Sequence, residues 1–220
     1  MFKECNKANY RKGRTDKIKY IVIHYTAGNG DTAKNNVDYY ANNAVSASAH
    51  YFVDENEVWQ SVPDFDTAWA VGGTKIYKHP ECRNANSISV ELCSRNKNGG
   101  GRPAADGGWY FKEETVKNAA NLVRELMKKY DIPPQNVIRH YDVWNKICPA
   151  PFVNSAEQWE RFKEMIEMTE LVSVNDIVWE LAELGVISDK KLWLKKLADD
   201  QNAYWLARKA VNRIRNMSSV

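Results

Sequence analysis

Alternating apolar and polar positions predict short β-strands in the first three quarters of the chain. Residues 19–25 read KYIVIHY, an apolar run rich in β-branched side chains, and period-two alternation places Val22 and His24 on the same face. Residues 87–93 read SISVELC, and the same alternation turns Glu91 away from the apolar positions beside it. Each of these two predicted strands therefore carries an ionisable side chain, His24 or Glu91, on its more polar face.

Two further segments have strand character. A polar turn at residues 54–57 lies within residues 48–62 and predicts a β-hairpin. Residues 136–140 predict a short strand that ends at His140, and the proline-bounded residues 145–152 predict a loop.

Helical periodicity is strongest at residues 112–130, where apolar side chains recur every three or four positions. Residues 155–168 repeat this pattern, and a shorter helix is predicted to begin after Asp31 or Thr32 as its N-cap. Strands that alternate with helices predict an α/β domain, a mixed β-sheet flanked by helices, over residues 1–169.

The last 50 residues differ in composition from the rest of the chain, since they contain no proline and a single glycine. Their pattern predicts a small all-helical C-terminal domain over residues 170–220. Its three helices are placed at residues 174–184 (stopped by Gly185), 189–198 (capped by Ser188) and 203–215. Two interpretations of its three tryptophans stay open: they are exposed and face sugars or a partner, or they belong to a core of Ile177, Trp179, Leu181, Trp193, Leu197 and Trp205.

Charge and composition narrow the classes of function. Lys and Arg total 31 against 28 Asp and Glu, a net charge of +3 that does not favour a nucleic-acid partner. No apolar run approaches the roughly 20 residues that a membrane span needs. Residues 1–19 are polar and lysine-rich, without the apolar core of a signal peptide. We therefore expect a protein that is made in the cytoplasm and does not span a membrane.

Three residues carry the strongest candidate metal chemistry. His24 and His140 each end a predicted strand, or lie next to its end, and Cys148 follows His140 by eight residues. Two imidazoles and a thiolate can hold zinc in a tetrahedral site with an open fourth position. On residue chemistry alone, hydrogen-bonded core histidines and a buried apolar cysteine remain alternatives. The chain has four cysteines and no CxxC pair, which favours free thiols.

Four motifs in sequence order add a family resemblance. They are IVIHYTAG at 21–28, AHYFVD at 49–54, NSISVELC at 86–93 and RHYDVWNKICPAPF at 139–152. Together they resemble the zinc-dependent N-acetylmuramoyl-L-alanine amidases of the amidase-2 family, which share a fold with the peptidoglycan recognition proteins. The resemblance covers roughly residues 15–168 and is strongest to phage or prophage endolysins of Gram-positive, clostridial-type hosts.

The resemblance implies a role for each site residue. His24, His140 and Cys148 match the three ligands of one Zn²⁺ per chain. Glu91 matches a strand carboxylate that passes a proton from water to the leaving amine, and Lys146 matches a cation that stabilises the oxyanion. The implied reaction is hydrolysis of the amide bond between N-acetylmuramic acid and L-alanine in bacterial peptidoglycan, as in a lytic endolysin or autolysin.

Four residues are candidates for lining the substrate groove: Asn29, Tyr51, Trp69 and Asn86. A glycopeptide needs amide hydrogen bonds and flat apolar faces, which these side chains offer. His50 lies near the same groove, and a structural role and a substrate contact are equally open for it.

Two positions depart from the family pattern. Ala49 stands where some relatives have a catalytic tyrosine, which leaves the role of general base to Glu91. Ala70 stands where relatives often have a histidine, which puts one substrate contact in doubt. His79 is interpreted as a surface-loop residue and Cys93 as a packing residue.

Two alternative functions share this fold. A non-catalytic peptidoglycan-binding module of the family would lack the cysteine ligand, which this chain retains as Cys148. A zinc amidase that recycles cytosolic muropeptides would share the chemistry, but it would not need an appended domain.

The predicted helical domain has three open roles: wall binding, self-association, or a cover for the first domain. An endolysin made without a signal peptide would reach the wall through a membrane lesion made by another protein, or through lysis from within.

Overall fold

The computed structural model describes residues 1–72, 76–167 and 174–217, and these fall into two compact units. The first unit ends at Glu167, and the described part of the second begins at Val174. No helix among the described residues is long and apolar enough to cross a membrane.

The elements of the first unit alternate between strand and helix for most of its length. In chain order they are β1 (Tyr10–Arg11), β2 (Tyr20–Tyr25), α1 (Ala33–Asn42), β3 (Tyr51–Val53), β4 (Val58–Gln60), β5 (Thr67–Ala68), β6 (Ser87–Leu92), β7 (Arg95–Asn96), β8 (Trp109–Tyr110), α2 (Glu113–Tyr130), β9 (Val137–Arg139), α3 (His140–Trp144), α4 (Ala150–Asn154) and α5 (Ala156–Glu167).

A five-stranded mixed sheet in the order β4-β3-β6-β2-β9 forms the centre of the first unit. β3, β6, β2 and β9 run parallel, and β4 joins the edge as the antiparallel partner of β3 in a hairpin. Parallel neighbours need long crossover connections, which α1 and α2 supply. In this register His24 and Phe52 both pair with Glu91, so the three side chains share one face.

The two faces of the sheet are covered by different elements. The face that carries Ile21, Ile88 and Val90 is fully buried, with α2 packed on β3 and β6 and α5 packed on α2. On the opposite face, α1 covers Phe52 in a cluster of buried residues. A second cluster around Val22 covers the same face on the other side of His24. His24 and Glu91 therefore lie between two apolar clusters.

The predicted strands and helices of the first unit are largely confirmed, with ends shifted by one or two residues. Two predictions are wrong. His140 begins α3 instead of ending a strand, because the Asp142 carboxylate accepts a hydrogen bond from the Arg139 N–H and starts a helical turn. The predicted loop at residues 145–152 ends early, since α4 begins directly after Pro149.

The second unit contains three helices: α6 (Val174–Glu183), α7 (Lys190–Asp199) and α8 (Gln201–Met217). Each packs on the other two around six buried residues, Ile177, Val178, Leu181, Ile187, Leu197 and Val211. Gly185 adopts φ +69° just after α6, which is the left-handed conformation that ends many helices.

Some details of this second unit differ from the prediction. The N-cap of α7 is Asp189, whose carboxylate accepts from the Leu192 N–H at 3.0 Å, and not Ser188. Trp179 is 54% exposed, so it is not a core residue. Trp193 is half-buried and packs against the core. The side chain of Trp205 lies outside the part of the chain that is described.

Candidate metal centre

Three potential metal ligands converge at the carboxyl end of β2. His24 is near the end of β2, His140 follows the neighbouring strand β9, and Cys148 lies in the loop between α3 and α4. The Nδ1 atom of His24 lies 3.8 Å from the Sγ atom of Cys148, and the ring centroids of the two histidines are 4.6 Å apart. One donor atom from each residue lies within 4.8 Å of the other two, and all three residues are buried.

Several ring nitrogens of this cluster lack a hydrogen-bond partner among the described residues. His24 Nε2 and both ring nitrogens of His140 are buried, and none of them has a hydrogen-bond partner among the described residues. Buried polar atoms without partners are rare because their desolvation is not repaid. Zinc at 2.0–2.3 Å from tetrahedral ligands would separate them by about 3.3–3.8 Å. The donor types therefore suit a zinc ion, and the 3.8 Å between His24 Nδ1 and Cys148 Sγ matches this spacing.

Burial keeps the two imidazoles neutral, which is the form that binds metal. It lowers the pKa of His24 far below its usual value, with the positive charges of His140 and Lys146 adding to the effect. It also lowers the pKa of His140 to about 4, again with Lys146 adding. Burial, with the charge of Glu91 adding, raises the pKa of the Cys148 thiol, so a metal ion that bound there would have to displace its proton.

Glu91 lies beside the three donors on the central strand. Its Oε1 atom is 3.9 Å from His24 Nδ1, and its Oε2 atom is buried without a hydrogen-bond partner among the described residues. Burial raises the pKa of Glu91 to about 8, although the charge of Lys146 opposes this. A carboxyl group that titrates near neutrality can both accept and return a proton.

Lys146 is exposed in the loop between α3 and α4. That loop turns back on α3, because the Tyr141 N–H donates to the Cys148 carbonyl at 2.8 Å. Asn145 at the end of α3 has φ +57°, which makes this reversal possible. The fold thus places a cation close enough to the donors to influence their protonation, as the pKa shifts of His140 and Glu91 indicate.

Two of the four predicted groove residues are compatible with a groove. Asn29 is exposed in the loop that follows β2, and its Oδ1 atom accepts a hydrogen bond from the Asn96 N–H. Trp69 is half-buried and lines a cleft. Neither position is in conflict with a substrate contact.

The predictions for Tyr51 and Asn86 as groove residues stay predictions, and the structure places both side chains away from Glu91. Tyr51 pairs with Val90, so it lies on the face of the sheet opposite to Glu91, and its hydroxyl donates to Asp64 at 2.7 Å. Asn86 is buried at the other end of β6, where its amide caps a short turn by accepting from the Arg83 N–H. Alternation indicates which residues share a face, but it does not reveal which face receives the substrate.

His50 has a structural role. It is 1% exposed, and its ring contacts the Ser89 hydroxyl at 2.9 Å and the Arg14 guanidinium at 2.6 Å. Cys93 is buried in the cluster under α1, and all four cysteines are free. His79 is half-buried and accepts from the Cys82 N–H at 2.9 Å, which stabilises a turn.

Most of the first unit matches a known protein family. Residues 14–151 match the Amidase_2 model, whose description is N-acetylmuramoyl-L-alanine amidase. The chain belongs to the Amidase_2 family. His24, Glu91 and Cys148 all fall within the matched region, whereas the second unit lies outside it.

Curated relatives of this chain include amidases of Bacillus. The chain is 39% identical over 158 residues to the N-acetylmuramoyl-L-alanine amidase CwlL of Bacillus licheniformis. It is 33% identical over 162 residues to BlyA of Bacillus subtilis (strain 168). Each match takes in 68% of this chain, and the chain spans 41% of the length of either relative.

Solved structures give the same fold. The structure of PlyL matches with a TM-score of 0.62 and 29% identity, covering 77% of this chain and 98% of that one. The catalytic domain of XlyA matches with a TM-score of 0.57 and 25% identity, covering 76% and 99%. The α/β prediction, a mixed sheet flanked by helices, is confirmed.

Proposed function

We propose that this protein hydrolyses the amide bond between N-acetylmuramic acid and L-alanine in bacterial peptidoglycan, as a lytic enzyme of the cell wall. The observation that carries this proposal is the convergence of the buried side chains of His24, His140 and Cys148 beside Glu91, within a domain of the Amidase_2 family. Bacillus relatives that carry the name of this activity support it.

In this proposal His24, His140 and Cys148 hold one Zn²⁺ per chain. A bound zinc ion supplies Lewis acidity, which polarises a carbonyl group and makes water more acidic. Only three protein ligands converge among the described residues, which suits a catalytic site more than a structural one.

Glu91 transfers the proton in the proposed reaction. Its carboxylate accepts a proton from the attacking water and then returns it to the nitrogen of the departing L-alanine. Its Oε2 atom has no competing hydrogen bond within the described chain, so the group is available for this transfer.

Lys146 stabilises negative charge on the carbonyl oxygen as the bond breaks. Its exposed ammonium group is free to move toward the substrate, and a positive charge placed where the oxyanion develops lowers the barrier. Asn29 and Trp69 contact the glycopeptide through an amide and an aromatic face.

The second unit binds the cell wall in this proposal, and the enzyme acts there after release from the cell. The supporting feature is Trp179, whose side chain is 54% exposed. Aromatic faces of this kind suit sugar rings. Self-association through the C-terminal helices stays a prediction.

The decisive experiment follows two kinds of new chain end in purified peptidoglycan. Protein of measured zinc content is incubated with and without a chelator, and free L-alanine amino termini and new reducing sugar ends are quantified separately. We expect about one zinc per chain and chelator-sensitive release of alanine termini. Reducing ends without alanine termini would contradict the proposal, as would alanine release that is independent of metal.

Replacement of the thiol ligand tests the metal site itself. We expect Cys148→Ser to lose bound zinc and to lose about a hundredfold or more in kcat, because a hydroxyl is a far weaker zinc ligand than a thiolate. Cys5→Ser is the matched control, since Cys5 is buried elsewhere and donates only to the Tyr40 carbonyl. Metal analysis and alanine release are measured on both variants, and full zinc in Cys148→Ser would refute its assignment.

A further inference from the structure

The antiparallel β7–β8 hairpin lies at the end of the central sheet where the metal donors converge. Two residues separate it from Leu92, the last residue of β6, and Leu92 pairs with Tyr25 of β2. Tyr25 directly follows His24 in the chain. The hairpin therefore continues from the strand that carries Glu91, next to the strand that carries His24.

Hydrogen bonds join the start of this hairpin to the loop that follows β2. The Ser94 hydroxyl donates to the Gly28 carbonyl at 3.0 Å, and the Asn96 N–H donates to Asn29 Oδ1 at 2.9 Å. Ser94 and Asn96 are both buried, so these bonds are shielded from competing water. They fix the first strand of the hairpin to the segment that comes directly after a candidate metal ligand.

The second strand of the hairpin packs on the last residue of β2. The rings of Trp109 and Tyr25 meet edge to face with centroids 5.5 Å apart, and both side chains are buried. Alternation turns Tyr25 away from His24, so Trp109 supports β2 from the face opposite to the metal donors. The Trp109 indole N–H donates to the Pro103 carbonyl at 2.9 Å, which holds the ring in this orientation.

The same hairpin contacts the segment that carries Cys148. Phe111, the residue after β8, packs edge to face on Phe152 with ring centroids 5.0 Å apart, and both side chains are buried. Phe152 belongs to α4, which begins two residues after Cys148. The Tyr25 N–H also hydrogen-bonds to the Cys148 sulfur, which works against the burial that raises the pKa of this thiol. Trp109 and Phe111 therefore connect the end of β2 to the Cys148 segment.

These contacts act on a distance on which a metal site depends. His24 Nδ1 and Cys148 Sγ lie 3.8 Å apart, although the two residues are separated by 124 positions in the chain. Packing between elements must therefore set this separation. Residues that orient metal ligands without binding the metal commonly change its affinity by about 10–100-fold when they are replaced.

The loop of the hairpin is itself restrained by Asp106. The Asp106 Oδ1 atom accepts from the side-chain amides of Asn96 and Asn98 at 3.1 and 3.0 Å, and from the Gly108 N–H at 2.7 Å. A Cβ atom added at Gly108 would lie 2.5 Å from Asn96 Oδ1, so a side chain there would displace this amide. Trp109 follows Gly108 directly, so its backbone is fixed by the loop as well as by strand pairing.

We propose that Trp109 is a positioning residue of the candidate metal centre, which holds the end of β2 against the Cys148 segment so that His24 and Cys148 keep a spacing suited to zinc. Trp109 acts through Tyr25 and is not itself a ligand. The inference rests on the proposed function, because it requires these residues to bind zinc. It predicts that zinc affinity, and not only the stability of the fold, depends on the β7–β8 hairpin.

The test measures the zinc affinity of the full chain by competition with a chromophoric chelator, after bound metal has been removed. Trp109→Leu is expected to weaken zinc binding about tenfold or more. Trp109→Phe, which keeps a ring but loses the hydrogen bond to Pro103, is expected to weaken it by less than about threefold. Tyr10→Leu is the matched control, because it removes a buried ring from a separate apolar cluster, and its zinc affinity is expected to stay within about twofold of the unmodified chain.

A second readout separates positioning from loss of stability. The absorption spectrum of Co²⁺-substituted protein reports the coordination geometry through its visible bands and its thiolate-to-cobalt band. We expect these bands to shift or weaken in Trp109→Leu and to stay unchanged in Tyr10→Leu, although urea unfolding shows both variants to be less stable. Phe111→Leu, at the other contact of the hairpin, is expected to weaken zinc binding as well, and it takes the place of Trp109→Leu if that variant does not fold.

Two results would overturn the positioning role: unchanged zinc affinity and cobalt bands in the Trp109 and Phe111 variants, or an equal loss of affinity in Tyr10→Leu. In either case the unmodified chain still binds zinc and releases alanine, so the proposed function survives. Zinc binding without alanine release would refute the proposed function and leave the positioning role to be decided by the affinities. Absence of zinc binding by the unmodified chain would refute both.

Discussion

His24 and Glu91 lie opposite each other across β2 and β6, and this register brings a metal donor and a carboxylate to 3.9 Å. The sequence motifs pointed to His24, His140 and Cys148 as candidate metal ligands, and the structure brings these three side chains together. Their burial and their lack of partners were not readable, since both depend on which elements cover them. The same limit applies to Tyr51. Alternation along the strand could not show that its side chain lies on the face of the sheet opposite to Glu91.

Glu91→Gln separates proton transfer from metal binding. We expect this variant to keep its zinc and to lose about 10²–10⁴-fold in kcat, because an amide cannot take up the proton of the attacking water. Metal content and alanine release are measured in parallel. Glu114→Gln, at an exposed position of α2, serves as the control, and full activity of Glu91→Gln would exclude a role for it as general base.

His50 makes stability depend on pH. Burial, with the adjacent Arg14 charge adding, lowers the pKa of His50 to about 3, whereas an unfolded histidine titrates near 6.5. Between these values only the unfolded chain binds the proton, so the free energy of unfolding falls as pH is lowered, by up to about 1.4 kcal/mol per unit. We expect His50→Gln to show a shallower slope in denaturant unfolding between pH 7 and pH 5. Equal slopes would contradict this.

At the scale of elements, local signals predicted the helices well wherever capping and periodicity agree. α1 begins after Thr32, whose hydroxyl accepts from the Asn35 N–H, as the sequence indicates. The β1–β5 ribbon was not predicted, because each of its strands has two residues and carries too little pattern to detect. It forms through pairing of segments more than 50 residues apart in the chain.

Asp64 joins several of these elements on the face of the sheet away from the metal donors. Its buried carboxylate accepts hydrogen bonds from Tyr51, Gln60, Lys129 and Tyr130 at 2.6–3.0 Å. Burial opposes its ionisation, but these donors outweigh burial and hold the pKa of Asp64 below its usual range. These hydrogen bonds connect the C-terminal end of α2 to the β3–β4 hairpin.

Loss of the Asp64 carboxylate is expected to destabilise both the β3–β4 hairpin and α2. We expect Asp64→Ala to lower the free energy of unfolding by about 2–4 kcal/mol, because it leaves buried donors without an acceptor. Lys129→Ala, which removes a side chain that is 60% exposed from the same group, is expected to cost about 1 kcal/mol or less. Urea unfolding of both variants measures the difference, and equal losses would argue against a central role for Asp64.

At the scale of the whole molecule, the chain consists of a family domain and a helical unit with separate cores. The match to PlyL covers 98% of that structure while using 77% of this chain, which supports independent folding of the first unit. The sequence predicted the change in character near residue 170 from the loss of proline and glycine. What the second unit binds is a proposal.

Truncation after residue 169 tests the role of the second unit. We expect the shortened protein to hydrolyse soluble muropeptides at an unchanged rate, since every residue assigned to the reaction lies in the first unit. Lysis of whole cell walls is expected to fall about tenfold or more, because an added binding module raises the local concentration of enzyme. Turbidity loss and alanine release measure the two effects, and equal lysis by both forms would remove the wall-binding role.

The sequence by itself determined the period of each main strand and helix and pointed to the three candidate metal ligands. These properties are local, since they depend on residues within one element or one motif. Tertiary structure alone decided which face of the sheet holds the donors, that His50 is structural, and that Trp109 meets Tyr25 at the end of β2. Those outcomes depend on contacts between distant segments, and only packing of the whole domain sets them.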